Sequence, residues 1–551
     1  MKKTLKECMN LYLYRVLLLS LLLLPAAGSI KADSLQNKAG SKNLKSDKKS
    51  KTLSERLIAV DVKDVRGSLN TAFKACVGAG RAHEGLHGDW QRQLLEAKKE
   101  CDFQRIRFHG LLHDEMSVYR EDKDGIHLNF QYIDALFDYL TGIGVVPFIE
   151  LGFMPEQLRS GEETIFWWRG NVTPPSDYGK WGFLIEGLAK HLKERYGEDE
   201  VATWYFEVWN EPNLSGFFSG TQEDYFKLYE TSAKAIKRAS ERFRVGGPAT
   251  AGCAWIPEFI DFCRSRQIPV DFITTHHYGV EGFLDEFGQQ QLRMPENINS
   301  VSDLVNSTCD NVKTLEGYKD LEVHFTEWSS SYSPRDPFHD VYQNAPYVLN
   351  TLKRVEGNPA SMSYWTFTDI FEEPGPVPSP FHGGFGLMTF EGIKKPTYFA
   401  YKFLNELGET ELNNDDVHSW VCRNKKGDVQ ALFWNIVRAD QGKESNQVYF
   451  KKDLPAREAE KVTVQLSNLK PGKYLREVYR TGYKLNDCYT AYYEMGSPAV
   501  LTPAQTKALK ALANGDAAGR DVVEVEADGK YQEDFVVREN DVFFVKLKTL
   551  D

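Results

Sequence analysis

Short apolar runs alternate with amphipathic helical segments between about residues 70 and 405. In the longer segments apolar residues recur at i, i+3 and i+4, so they fall on one face of a helix. One such face consists of Phe130, Ile133, Leu136, Phe137 and Leu140. The shorter runs are β-rich and end in polar residues or glycine. Seven are clear, at residues 103–110, 145–153, 203–212, 243–250, 271–279, 322–329 and 362–370, and an eighth is expected near 72–80.

Eight strands that alternate with helices predict an α/β protein built as a closed parallel (β/α)8 TIM barrel, here over residues 70–408. A doubly wound open sheet is the alternative. It is disfavoured because no GxGxxG or Walker motif opens any of the strand-to-helix turns.

Past residue 410 the pattern changes to short strands separated by glycine and Asn-Asp turns, with one helical stretch at 503–512. This pattern predicts an accessory β-sandwich domain over residues 409–551. An apolar run at 56–65 lies before the barrel. We therefore expect residues 53–69 to join the sandwich from the amino-terminal side.

The first residues have the pattern of an export signal. Lys2, Lys3 and Lys6 precede an apolar run at 16–24, and small residues follow it. We expect a signal peptide over residues 1–32, a disordered spacer over 33–52, and export to the periplasm or the exterior with no membrane attachment after cleavage. A signal anchor is the alternative, although the run is short for a membrane span.

Charge and cysteine content narrow the class of protein further. The formal net charge is −11, which disfavours nucleic-acid binding because that requires a basic face. Seven of the eight cysteines lie outside the predicted signal, and no CxxC pair indicates a zinc ribbon. Cys253 and Cys263 are close enough in sequence to pair, but their spacing does not decide it.

Two carboxylates stand out at the predicted strand ends, where a TIM barrel carries its active site. Glu211 ends the fourth run and Glu327 ends the seventh, so both face one pocket. Retaining glycosidases require such a pair, about 5–5.5 Å apart, one protonated and one ionised. The chemistry alone does not say which of the two is the acid.

The motifs around these residues are specific. Trp209-Asn210-Glu211-Pro212 resembles the acid/base motif of the (β/α)8 retaining glycosidases, and Thr326-Glu327-Trp328-Ser329 fits their nucleophile strand. More closely, the chain resembles glycoside hydrolase family 39, which contains β-xylosidases and α-L-iduronidases. The resemblance includes the segments CVGAG at 76–80, RFHG at 107–110, GGPAT at 246–250, FHGGFGLMTF at 381–390 and VYRTGYKLND at 478–487.

The resemblance implies a role for each site residue. Glu211 would be the acid/base and Glu327 the nucleophile of a β-xylosidase that releases terminal xylose with retention. The residues implied to bind substrate are His109, Asn210, His276, Tyr278, Trp365, Glu372 and Glu373, with the choice between the last two left open. We also expect an oligosaccharide substrate, no cofactor and a possible homo-oligomer.

Other interpretations remain for several residues. The adjacent His276 and His277 suggest a metal site, but neighbours on a strand point to opposite faces, so we expect no metal. Glu327 can instead be a structural acid paired to Arg107, and Glu150 is interpreted as structural. Trp167 and Trp168 are either an aglycone platform or a buried loop anchor.

Two other functions are kept as alternatives. An α-L-iduronidase or another pentosidase would share the mechanism. An iduronidase needs a cation near the substrate carboxylate, and Arg81, near the first strand, is the candidate for that role. A non-catalytic carbohydrate-binding protein is the alternative from another class.

Overall fold

The computed structural model describes residues 53–550, so the predicted signal peptide and spacer at 1–52 lie outside the described residues. Its centre is a closed barrel of eight parallel strands, each beside the next in chain order. The strands are β1 (Val77–Arg81), β2 (Arg105–His109), β3 (Val146–Glu150), β4 (Tyr205–Glu207), β5 (Arg244–Ala251), β6 (Phe272–Tyr278), β7 (Glu322–Ser329) and β8 (Ser361–Tyr364). The predicted (β/α)8 class is confirmed.

Eight helices surround the barrel: α1 (Gly88–Cys101), α2 (Gln131–Gly142), α3 (Tyr178–Tyr196), α4 (Gln222–Ala239), α5 (Ile256–Arg266), α6 (Ser300–Lys313), α7 (Asn344–Arg354) and α8 (Pro396–Asn405). Their apolar stripes face the strands, as in α2, where Ile133, Leu136, Phe137 and Leu140 are buried. Helix α4 begins with a capping box, in which Thr221 accepts from the N–H of Asp224 and the Asp224 carboxylate accepts from the N–H of Thr221.

Several strands are shorter than the apolar runs predict, among them β1, β4 and β8. Residues 72–75 form a short helix before β1, and β8 ends at Tyr364. Strand β4 ends at Glu207, and the residues that follow leave the extended conformation, since φ is +72° at Trp209 and +44° at Glu211. These left-handed conformations are incompatible with a strand. They place Glu211 in a turn at the carboxyl end of the barrel.

The accessory domain consists of two facing sheets. A three-stranded sheet has the order Ser54–Asp61, Glu458–Ser467 and Tyr531–Arg538. A seven-stranded sheet has the order Val65–Ser68, Thr410–Leu412, Ser419–Arg423, Val429–Trp434, Val542–Thr549, Gly472–Thr481 and Gly519–Val525. Apolar residues of both sheets form one core, which includes Val60, Val464 and Phe535 facing Phe433 and Val545. The strand Ser54–Asp61 runs parallel to Glu458–Ser467, so the amino-terminal segment completes this domain.

The structure also gives the state of the cysteines and the character of the helices. All seven cysteines of the described residues are free thiols, so Cys253 and Cys263 are not paired. Between residues 53 and 550, none of the helices has the combination of length and apolar character that a bilayer span requires.

Candidate active site

Glu211 and Glu327 meet at the carboxyl end of the barrel. One carboxylate oxygen of each lies within 4.8 Å of the other and of a ring nitrogen of His276. Both glutamates are buried, with 7% and 5% of their surface exposed. This separation is close to that of the carboxylate pair in retaining glycosidases, about 5–5.5 Å, and below the 6.5–9.5 Å or so of inverting enzymes.

Arg107 of β2 organises the floor of the site. Its side chain is fully buried and pairs with Glu150 at 3.0 Å, with Glu207 at 2.8 Å and with Glu327. It also donates to Asn210 Oδ1 at 2.8 Å. Glu327 therefore pairs with Arg107, as the structural interpretation expects, and also lies beside Glu211, as the catalytic interpretation expects.

Glu327 is oriented by two donors. Arg107 binds one oxygen, and the Tyr278 hydroxyl donates to the other at 2.6 Å. Burial and the charge of Glu327 raise the pKa of Tyr278 well above its usual value, so this phenol keeps its proton. The two donors fix the orientation of the Glu327 carboxylate in the site.

Glu211 has the opposite surroundings. Burial raises the pKa of its carboxyl to about 7, although the charges of Arg107 and His109 oppose the shift. Its Oε1 lies 3.0 Å from Nδ1 of His276. Burial lowers the pKa of His276 to about 4, so the ring is neutral at physiological pH. The site thus pairs a carboxylate held by Arg107 and Tyr278 with a carboxyl whose pKa burial raises to about 7.

The tautomer of His276 follows from its other neighbour. Nε2 lies 3.1 Å from Thr326 Oγ1, and that hydroxyl donates its own proton to Glu207 at 2.7 Å. Since the Thr326 oxygen can only accept from His276, Nε2 carries the ring proton and Nδ1 is left as an acceptor. The Nδ1 atom is then suited to accept from the protonated carboxyl of Glu211.

A second charged cluster lies beside this pair. His109 Nδ1 is 2.5 Å from Glu150, and its Nε2 is 3.3 Å from Glu373. Burial lowers the pKa of His109, but the charge of Glu150 and the hydrogen bonds to Glu150 and Glu373 together outweigh burial and raise the pKa to about 10. Burial raises the pKa of Glu373 to about 7. Oε1 of Glu373 is buried and, apart from its contact with His109 Nε2, has no polar partner among the described residues, so it can accept from a further donor.

Glu372 and Glu373 differ in what they contact. Glu372 pairs with Arg81 at 2.8 Å, and Arg81 also binds Glu84 and Glu115, each at 2.9 Å. Only Glu373 contacts His109. The structure therefore places Glu373 in the pocket and Glu372 in the network that holds its loop.

Trp365 forms an apolar wall of the pocket. It is 2% exposed and lies 4.9 Å from the His109 ring, with the Arg107 guanidinium 5.5 Å from its centroid. Its indole lies so close to Gly78 that a Cβ there would overlap the ring. This contact explains a glycine of the CVGAG segment, since only glycine permits such close approach.

Three contributors were missed from the sequence: Glu207, Thr326 and Glu84. Glu207 sits inside the apolar strand β4, and a charged residue in a buried strand is the one signal that pointed to it. Thr326 and Glu84 carry no comparable signal, because a threonine in a strand and a glutamate in a loop are both common.

The donor atoms of Glu211, His276 and Glu327 also have the spacing of a possible metal site. Each of them already has a protein partner: Thr326 and Glu211 for His276, and Arg107 and Tyr278 for Glu327. His277 is half-buried and makes no contact with this group in the described residues. These contacts fit a catalytic carboxylate pair, whose reaction requires no metal.

The chain is similar in sequence to several known glycosidases. A β-xylosidase of Caldicellulosiruptor saccharolyticus is 47% identical over 345 residues, which are 62% of this chain and 70% of the relative. A β-xylosidase of Geobacillus stearothermophilus is 41% identical over 377 residues, 66% of this chain and 74% of the relative. The mouse α-L-iduronidase is 30% identical over 165 residues, 29% of this chain and 24% of that protein.

The whole fold has a counterpart in a solved structure. A monomeric β-xylosidase from Caulobacter crescentus CB15 is 41% identical with a TM-score of 0.87, over 90% of this chain and 100% of that one. The model of the family described as glycosyl hydrolases family 39 matches residues 56–532, which include the barrel and most of the accessory domain. The chain belongs to glycosyl hydrolase family 39.

Proposed function

We propose that this protein is a β-xylosidase that removes terminal β-D-xylosyl residues from oligosaccharides with retention of configuration. The observation that carries the proposal is the pair Glu211 and Glu327, whose carboxylate oxygens lie within 4.8 Å in surroundings of opposite electrostatic character.

In the first step Glu327 attacks the anomeric carbon and Glu211 gives its proton to the departing oxygen. Arg107 and Tyr278 hold Glu327 in the attacking orientation. Asn210 uses its amide oxygen to accept from Arg107, so its NH2 group is left to donate to the sugar 2-hydroxyl. The products are the free aglycone and a xylosyl ester of Glu327.

In the second step Glu211, now ionised, takes a proton from water as the water attacks the same carbon. The ester bond to Glu327 breaks, and xylose leaves with its original configuration. His276 assists because its unprotonated Nδ1 faces Glu211 and accepts from the regenerated carboxyl. The cycle needs only the two carboxylates and water.

The charged residues of the site favour a neutral sugar over a uronic acid as the substrate. A uronic acid needs a free cation, but Arg81 is bound by three carboxylates and Arg107 by another three. Glu373 would also repel a uronate at close range. An α-L-iduronidase is therefore disfavoured, and the shorter match to iduronidases agrees with this.

The test is an assay of the purified protein on 4-nitrophenyl β-D-xyloside, α-L-arabinofuranoside, β-D-glucoside and α-L-iduronide. We expect cleavage of the β-xyloside. Glu211→Ala, which removes the acid, should lower the rate of xylobiose hydrolysis about 10²–10⁴-fold. Glu327→Ala should remove turnover altogether. The control Glu322→Gln alters a carboxylate at the opposite end of strand β7 and should keep full activity.

Azide separates the two roles. In Glu211→Ala azide attacks the xylosyl-enzyme and gives β-xylosyl azide, whereas in Glu327→Ala it takes the place of the nucleophile and gives the α-azide. The opposite pattern would exchange the assignments. Cleavage of another glycoside with the same variant pattern would keep the mechanism and replace the sugar, and no cleavage of any glycoside would favour a binding protein.

We also propose that the protein is exported, on the basis of the charged and apolar pattern of residues 1–32. Export predicts a mature amino terminus after residue 28 or close to residue 32, which mass spectrometry of the secreted protein measures. Homo-oligomer formation remains a further proposal, and the Caulobacter crescentus relative is described as monomeric. Light scattering of the purified protein decides between the two states.

A further inference from the structure

A small hairpin in the loop after β3 carries two adjacent tryptophans that differ in burial. The hairpin pairs Thr164–Ile165 with Gly170–Asn171. Trp168 is 6% exposed and packs 5.7 Å from Phe153 and 5.0 Å from His113, ring to ring. Trp167 is 60% exposed. Trp168 is thus the anchor of the loop, and Trp167 has no such role.

The backbone of Trp167 is tied to the sugar-binding loop after β8. Its N–H donates to the carbonyl of Glu373 at 2.8 Å. Its indole lies on Gly375, 3.3 Å from the position a Cβ would take, and φ there is +87°. The residue before it, Phe166, stacks on His109 with ring centroids 5.8 Å apart. Phe166 therefore belongs to the pocket wall, and Trp167 lies at its mouth.

The aromatic surface continues to the turn that carries the acid. Phe217 lies 5.6 Å from Phe166, ring to ring. Leu214, three residues before it, donates its N–H to the carbonyl of Glu211 at 2.9 Å. Phe217, Phe166 and Trp167 thus connect the turn of Glu211 with the loop of Glu373. The turn that carries Glu211 therefore lies beside this aromatic surface.

We propose that Trp167 is a specificity-determining residue that stacks on the leaving-group sugar, the unit beyond the scissile bond. A pyranose ring has an apolar C–H face, and an exposed indole is the side chain best suited to cover it, because it is large and flat. Because Gly375 has no side chain, the indole of Trp167 can lie directly against the backbone of the loop after β8. This inference rests on the proposed function, since it assigns the second sugar of the same substrate.

The test compares two substrates that differ only in the leaving group. β-D-Xylosyl fluoride has no second ring, whereas xylobiose has one. Trp167→Ala should lower kcat/KM on xylobiose about tenfold through the lost apolar contact, and leave kcat/KM on the fluoride within about twofold. Trp167→Phe should recover most of the loss. Phe183→Ala, which removes a 52% exposed aromatic on the outer helix α3, is the matched control and should change neither value.

Transfer to an acceptor gives a second measurement. With xylosyl fluoride as donor and xylobiose as acceptor, Trp167→Ala should reduce xylotriose formation relative to free xylose, because the acceptor occupies the same subsite. An equal loss on fluoride and xylobiose would mean that Trp167 only supports the fold, and would overturn the inference while leaving the proposed function intact. If the wild-type protein hydrolysed neither substrate, the proposed sugar would be wrong and the inference would fail with it.

Discussion

Glu211 lies at the end of a chain of buried polar groups. Glu207 accepts from Thr326, Thr326 accepts from His276, and the unprotonated Nδ1 of His276 faces Glu211. Because burial raises the pKa of Glu211 to about 7, the acid loses its proton as the pH rises through that value. The value of kcat/KM, which reports the free enzyme, should therefore fall above about pH 7.

Removing the Thr326 hydroxyl should move this alkaline limb. In Thr326→Val, Nε2 of His276 loses its acceptor, so the proton is free to move to Nδ1 and donate to Glu211. That bond favours the ionised carboxylate, and the limb should shift to lower pH by about one unit. The measurement is the pH profile of kcat/KM on xylobiose.

Two control variants make the assignment specific. Thr326→Ser keeps the hydroxyl and should keep the wild-type profile. Glu373→Gln removes the other carboxyl whose pKa burial raises to about 7, and should lower activity while the limb stays in place. A limb that disappears in Glu373→Gln would assign the titration to Glu373 instead.

At the scale of elements, the loop after β8 depends on one buried lysine. Lys395, at the start of α8, pairs with Asp340 and Asp369, each at 2.7 Å, and donates to the Gly384 carbonyl at 2.8 Å. The two aspartates in turn accept from the N–H groups of Gly383 and Gly386. The FHGGFG segment is thereby fixed under the aromatic wall of the pocket, where Phe385 packs on Phe371.

Lys395→Met should destabilise the protein strongly, because it leaves two buried carboxylates without their cation. Loss of one partner of a buried pair costs about 3–5 kcal/mol. The adjacent Lys394 pairs with Glu96 and Glu100, which are more exposed, so Lys394→Met should cost about 1 kcal/mol or less. Urea unfolding measures both. Equal effects would contradict a special role for Lys395.

In the molecule as a whole, the hydrophobic core of the barrel continues onto one face of the seven-stranded sheet of the sandwich. Phe403 of α8 stacks on Phe544 of the strand Val542–Thr549 with ring centroids 5.3 Å apart, and both are almost fully buried. Trp420, Trp434 and Phe544 belong to the same apolar cluster as the barrel residues. We therefore expect the two domains to unfold together.

Phe544→Ala should cost about 3–5 kcal/mol and lower the midpoint of a single calorimetric transition. Phe535→Ala, in the core between the two sheets of the sandwich, should lower the same single transition, because the domains are coupled. Two separate transitions, of which Phe535→Ala shifts only one, would show that the sandwich folds independently of the barrel.

The fold class and the family follow from the amino-acid sequence alone. Strand and helix periodicities differ enough that eight alternating units are readable without a structure, and the motifs around Glu211 and Glu327 lie at strand ends, where a barrel collects its chemistry. Residues inside a motif, such as Asn210, are identified together with its glutamate.

The differences between neighbouring site residues become visible in the folded protein. Periodicity does not show which of two neighbouring side chains is buried, so it did not separate Glu372 from Glu373 or Trp167 from Trp168. It also did not reveal that Glu207 and Thr326, on strands about 120 residues apart, are joined by a hydrogen bond. Protonation depends on burial and on partners distant in the chain, so the roles of the carboxylates follow from the packed barrel.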